Sequence, residues 1–110
     1  MKQREIWFAD LNPVKGSEQK GYRPVVIVSG DLLNTYLKVV IACPLTSKIK
    51  EYKGNIVLEP NAENGLSQKS EMMVFQIRSI LKERLVSKLG TITKAELSEL
   101  KQGLNDILRY

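Results

Sequence analysis

Short, densely apolar runs alternate with polar stretches rich in turn formers along this 110-residue chain. "REIWFADL" (4–11) has a strand-like centre at Ile6–Trp7–Phe8 and gives way to the turn signal Asn12–Pro13. "PVVIVSG" (24–30) and "KVVIACPL" (38–45) are too apolar for strands with one solvated face, which predicts central strands covered on both sides. Between them, "DLLNTY" (31–36) reads as a short helical turn begun by Asp31. "GNIVLEP" (54–60), "EMMVFQIRSI" (71–80) and "LVSKLGTI" (85–92) read as further strands. The basic stretch "SKIKEYK" (47–53) and "NAENGLSQKS" (61–70), with its Asn64–Gly65 turn signal, read as loops.

The period changes at Thr93. Thr93 and Glu96 have the spacing of a capping box, and Leu97, Leu100, Leu104, Ile107 and Leu108 then mark one helical face. Glu99, Lys101, Gln102 and Asp106 fall on the other side. Gly103 costs a helix interior about 1 kcal/mol against alanine, which points to close approach by another backbone or a bend. Five or six strands and a terminal helix, in one domain over 1–110, predict a mostly β fold: a small antiparallel, partly closed barrel.

Composition narrows the function classes. Hydrophobic residues at 43% and charged residues at 26% are ordinary for a folded globular chain. The net charge is +5, and the excess lies in residues 1–55, with nine Lys/Arg against five Asp/Glu. A basic field favours polyanionic partners, although loop lysines also serve solubility alone. Cys43 is the only cysteine, in an apolar run where it reads as a small buried hydrophobe, and there is no histidine. No disulfide, metal site or cofactor is expected from such a set. "MKQREIWF" lacks the apolar core of a signal peptide and no run is long enough to span a membrane, so a cytoplasmic protein is expected.

Candidate chemistry concentrates in "GSEQKGYRP" (16–24), a loop with far more charge and hydrogen-bonding capacity than a turn requires. Together with its flanks, "EIWFADLNPVKGSEQKGYRPVVIVS" (5–29), and with "PLTSK" (44–48) and "QIRSI" (76–80), it resembles the MazF/PemK (Kid) toxin endoribonucleases over nearly the whole chain. The resemblance implies an SH3-like barrel of the CcdB/PemK type acting as a homodimer, the toxin of a toxin–antitoxin pair. It also implies metal-independent cleavage of single-stranded RNA through the 2′-hydroxyl, leaving a 2′,3′-cyclic phosphate and a 5′-hydroxyl, and restraint by a cognate acidic, MazE-like antitoxin. On this resemblance the catalytic arginine before proline falls on Arg23, the catalytic threonine on Thr46, and the loop acid and amide on Glu18 and Gln19.

The residue types suit that chemistry. Attack by the 2′-oxygen places negative charge on the phosphate oxygens, which a forked, permanently charged guanidinium matches better than an ammonium. Pro24 restricts Arg23 to extended backbone at the start of a stiff strand. Thr46 can donate its hydroxyl to the same phosphate. The bland alternatives are an Arg23–Glu18 ion pair and a Thr46 that merely caps a turn. Without histidine, the imidazole acid–base pair of many ribonucleases is excluded, leaving Glu18 or water to accept the 2′ proton.

For RNA binding, Lys15, Lys20, Lys48, Lys50 and Lys53 are candidate phosphate contacts, with Gln19, Ser47, Gln76 and Arg78 as further polar contacts. Arg78 can equally serve a strand-pair salt bridge. Tyr22 and Tyr52 are candidate stacking platforms. Phe75 stands where some relatives carry an acidic residue, which removes one acid–base group and offers either a core ring or a stacking ring. Two other readings share this fold. A CcdB-like gyrase-binding toxin needs a tryptophan near the C-terminus, but here the sole tryptophan is Trp7 and the chain ends "NDILRY". A non-catalytic nucleic-acid module would not need Arg23 and Thr46 together.

Overall fold

The β-branched runs form strands and the capping box starts a helix, as a computed structural model of residues 1–110 shows. In chain order the elements are β1 (Glu5–Asp10), β2 (Tyr22–Ile27), α1 (Asp31–Tyr36), β3 (Val39–Thr46), β4 (Ile56–Leu58), β5 (Ser70–Met72), β6 (Arg78–Leu81), β7 (Leu85–Thr91) and α2 (Lys94–Arg109). All pairings are antiparallel, in the order β4-β5-β3-β2-β1-β7, with β6 also paired to β3. The ends of this path do not pair, so the curved sheet is open rather than a closed barrel. The turn at 61–65 lies against one end instead: Thr91 donates its N–H to the Glu63 carbonyl at 2.8 Å. Gly65 has φ +65°, and a Cβ there would stand 2.0 Å from the Leu89 carbonyl oxygen, so the Asn64–Gly65 signal marks a position only glycine fills.

Central strands are buried on both faces, as their continuous apolar runs require. Ile6, Val26, Cys43 and Leu45 pack with Leu97 and Leu100 of α2 on one side, while Val25, Ile27, Val40 and Ala42 pack with Ile80 and Leu85 on the other. Burial pushes the Cys43 thiol up to about 12, which makes it a core residue and not a nucleophile.

The helix begins at its capping box, with Glu96 N–H donating to Thr93 at 3.0 Å and Thr93 N–H to the Glu96 carboxylate at 2.8 Å. Gly103 meets another backbone: a Cβ would stand 2.1 Å from the Gly54 carbonyl oxygen. The apolar stripe is shorter than its spacing predicts. Leu97 and Leu100 are buried and Leu104 is half-buried, but Ile107 and Leu108, in the last turn, are exposed. No helix is long and apolar enough to cross a membrane.

The expected strand over 71–80 is interrupted. β3 pairs with β6 through Ala42↔Arg78 and with β5 from Leu45↔Met72, so three β3 steps face six on the other side. The surplus forms a 3-10 turn at Val74–Gln76. Pro44 lies at this break; it has no N–H to continue a ladder, and its carbonyl accepts the Met73 N–H at 2.9 Å.

Candidate active site

The β2–β3 ladder reaches Val25↔Pro44. Two residues further along each strand stand Arg23 and Thr46, so one register carries both to the same end of the sheet. Arg23 stays paired with Ala9 on β1, and Thr46 with Glu71 on β5. Between the two strands opens a cleft of about 690 Å³ lined by both residues. Phe8, Tyr22 and Pro24 form one wall, Ser47 and Lys48 a second, and Gly65, Leu66, Ser67 and Gln68 a third.

Arg23 and Lys48 are the only charged side chains lining this cleft, so its field is positive. Arg23 forms no ion pair; Glu18 pairs with Lys20 instead, at 3.4 Å on the exposed loop. The Thr46 hydroxyl oxygen accepts the Lys48 N–H at 3.1 Å. That bond caps the turn and still leaves the hydroxyl hydrogen to donate into the cleft. Tyr22 is half-buried, its ring 5.8 Å from that of Phe8, so it is a wall of the cleft more than a free platform.

Two irregular loops adjoin the strands of the cleft, one leading into β2 and one following β3, and each is organised by a buried carboxylate. Asp10 accepts from Asn12 N–H at 3.0 Å, Asn12 Nδ2 at 2.7 Å and Gly16 N–H at 2.5 Å, with Arg84 Nη1 at 3.8 Å. Asn12 in turn donates to the Glu18 carbonyl, which shapes the β1–β2 loop. Glu71 accepts from the backbone N–H groups of Lys50, Glu51 and Tyr52 at 2.7, 2.8 and 3.2 Å, and from Asn55 Nδ2 at 2.7 Å. Burial alone would raise both carboxyls, but these donors outweigh it and hold both below the usual carboxylate range.

The remaining candidates scatter around this centre. Lys15, Glu18, Gln19 and Lys20 lie on the exposed loop and do not line the cleft. Lys50 and Gln76 border a neighbouring cleft of about 290 Å³, with Tyr52 and Phe75. Lys53 lies beside the end of α2, and Arg78 with Arg84 borders a separate cleft of about 500 Å³. Arg78 makes no salt bridge. Phe75 is half exposed, which removes its reading as a core ring. No three His, Cys, Asp or Glu side chains converge to hold a metal ion. Sequence reasoning missed Ser67, Gln68, Ser70 and Ser87, which line the cleft; the only local signal was the polar run after Asn64–Gly65.

Known proteins share both sequence and shape. A family profile described as PemK-like, MazF-like toxin of type II toxin–antitoxin system matches residues 2–108. The endoribonuclease MazF9 of Mycobacterium tuberculosis is 37% identical over 109 residues, covering 94% of this chain and 92% of that protein. The endoribonuclease EndoA of Bacillus subtilis is 32% identical over 105 residues, covering 94% and 90%. Crystalline MazF of Deinococcus radiodurans superposes with a TM-score of 0.79 at 25% identity, covering 100% and 97%. A mycobacterial endoribonuclease solved in complex with its cognate antitoxin superposes at 0.80 with 21% identity, covering 98% and 94%, a likeness of fold.

Proposed function

This chain belongs to the PemK-like, MazF-like toxins of type II toxin–antitoxin systems, and we propose that it is an endoribonuclease that cuts single-stranded RNA in the Arg23–Thr46 cleft. One observation carries the reading: an unpaired guanidinium and a hydroxyl with a free hydrogen share a cleft whose only charges are positive.

In the proposed reaction the 2′-oxygen bonds to the adjacent phosphorus while the bond from phosphorus to the 5′-oxygen breaks. The products are a 2′,3′-cyclic phosphate and a 5′-hydroxyl. Water takes the 2′ proton, since the loop holds Glu18 outside the cleft beside Lys20, and the departing 5′-oxygen gains one from solvent. Charge building on the non-bridging oxygens is met by the Arg23 fork and the Thr46 hydroxyl. Their fixed backbones mean little reorganisation is needed as that charge develops. Lys48 on the cleft wall, with Lys15, Lys20, Lys50 and Lys53 around it, steers the RNA backbone. The mechanism uses no metal ion.

The proposed active form is a cytoplasmic homodimer. Exposed Leu32, Tyr36, Leu37 and Leu81 support this, since Val39↔Leu81 pairing sets Leu81 beside the chain leaving α1. Sedimentation showing only monomer at micromolar concentration would count against it. The proposed inhibitor is a cognate antitoxin whose acidic segment folds along the positive cleft and excludes RNA. The test of activity is incubation with mixed-sequence single-stranded RNA in EDTA, with the cut ends mapped. Cyclic-phosphate and 5′-hydroxyl ends are expected; intact RNA, or cutting only after Mg²⁺ is added, overturns the reading.

A further inference from the structure

We propose that Phe75 and Tyr52 form a stacking subsite for one unpaired nucleobase of the RNA, next to the phosphate held by Arg23 and Thr46. This rests on the RNA-cutting reading and names the group that recognises a base beside the cut.

Phe75 is 50% exposed and Tyr52 is 54% exposed, and their rings meet edge to face at 5.9 Å. They come from separate segments, so their meeting is a product of the fold. Phe75 rides on the 3-10 turn that bulges from the β5–β6 run. That turn is pinned by buried Val74, whose N–H donates to Asn55 Oδ1 at 2.9 Å. Tyr52 is pinned through its own N–H to Glu71, and Glu71 also holds Asn55. Both backbones are therefore tied to one buried network, while the rings stand in solvent.

The cleft they line, about 290 Å³, shares Thr46 and Lys48 with the cleft that holds Arg23. A nucleotide chain whose phosphate sits at Arg23 and Thr46 can place its next base on the rings without leaving the surface. The charges sort the two parts of the nucleotide. The catalytic cleft has two cations and no carboxylate, which suits the phosphate. The neighbouring cleft sets the Glu71 carboxylate, already satisfied by four donors, against Lys48 and Lys50, so it carries less net positive charge than the catalytic cleft, and its exposed rings suit an uncharged base. The Gln76 amide makes no side-chain hydrogen bond within the protein and lies on the rim to read the base edge. An aromatic face suits every base, while a single amide adds selectivity.

The probe is a short RNA with a 2′-deoxy residue at the cut, so that it cannot react, and 2-aminopurine placed in turn at each flanking position. Wild-type protein should quench the fluorophore at one position adjacent to the cut. Phe75→Ala should lose that quenching and bind roughly 5- to 150-fold more weakly, the usual range for one lost stack. On cleavable RNA it should raise KM with kcat little changed and an unchanged melting temperature. Phe75→Tyr should restore binding; Phe75→Leu, which keeps apolar bulk without a π face, should not. Wild-type affinity and quenching in folded Phe75→Ala overturn the subsite alone, provided the wild type cuts RNA. A wild-type protein that neither binds nor cuts the RNA overturns the parent reading, and the subsite with it.

Discussion

Asp10 anchors the loop that follows it in sequence, whereas Glu71 anchors residues 50–55 from β5, after the intervening β4. The compensation differs as well. Asp10 has a cation beside it, Arg84, while Glu71 is met only by backbone N–H groups and a neutral amide. Holding a loop with dipoles leaves its cations unspent. None of Lys48, Lys50 and Lys53 forms an ion pair, whereas Lys20 in the other loop is paired with Glu18. The basic loop is thus ordered by a buried acid that none of its own lysines neutralises, and its positive charge stays available to a polyanion.

Removing Glu71 should have the larger effect on stability. Glu71→Ala strands three backbone N–H groups and the Asn55 amide, and should cost about 3 kcal/mol, read as a lowered melting temperature. Protease nicking should then appear within 47–55. An unchanged melt would show that the network contributes little. Asp10→Asn should cost less, because it keeps a carbonyl for Asn12 and Arg84 keeps its bond to the Asn12 carbonyl at 2.7 Å. Melting temperatures in the reverse order would break the comparison.

Acid sharpens it further. Both carboxyls titrate below their ordinary range when folded, so their stabilisation is fully present above the unfolded pKa of about 4 and is lost as pH falls through the lower folded values. Stability should be level from neutral pH to about 5 and then decline. In Glu71→Gln the decline should be shallower, since one linked proton is gone while those of Asp10 and of Glu5, also held below its ordinary range, remain. An identical acid profile for wild type and Glu71→Gln would show that Glu71 is not linked to folding.

What was legible in the sequence was whatever local chemistry determines. β-Branched runs marked the central strands, Thr93 and Glu96 marked the start of α2, and Gly103 marked a close backbone approach. The Arg23–Thr46 pair was legible through the resemblance, and its juxtaposition follows from the β2–β3 register. The interrupted strand at 71–80 was not legible, because the break depends on what β3 offers across the sheet, including the missing N–H of Pro44. Glu71 looked like an ordinary strand residue for the same reason: its partners lie in another loop. Ile107 and Leu108 kept the helical period, yet both are exposed in the last turn of α2. Glu18 has the right chemistry, yet the loop holds it outside the cleft beside Lys20.

Cleavage rates of Arg23→Ala and Thr46→Ala beside wild type, on one RNA with EDTA present and melting followed in parallel, test the central claim most directly. Each variant should lose roughly 100- to 1,000-fold in rate, the cost of removing one preorganised donor to the developing charge, with its melting temperature unchanged. A folded Arg23→Ala protein that cuts at close to the wild-type rate would contradict the account.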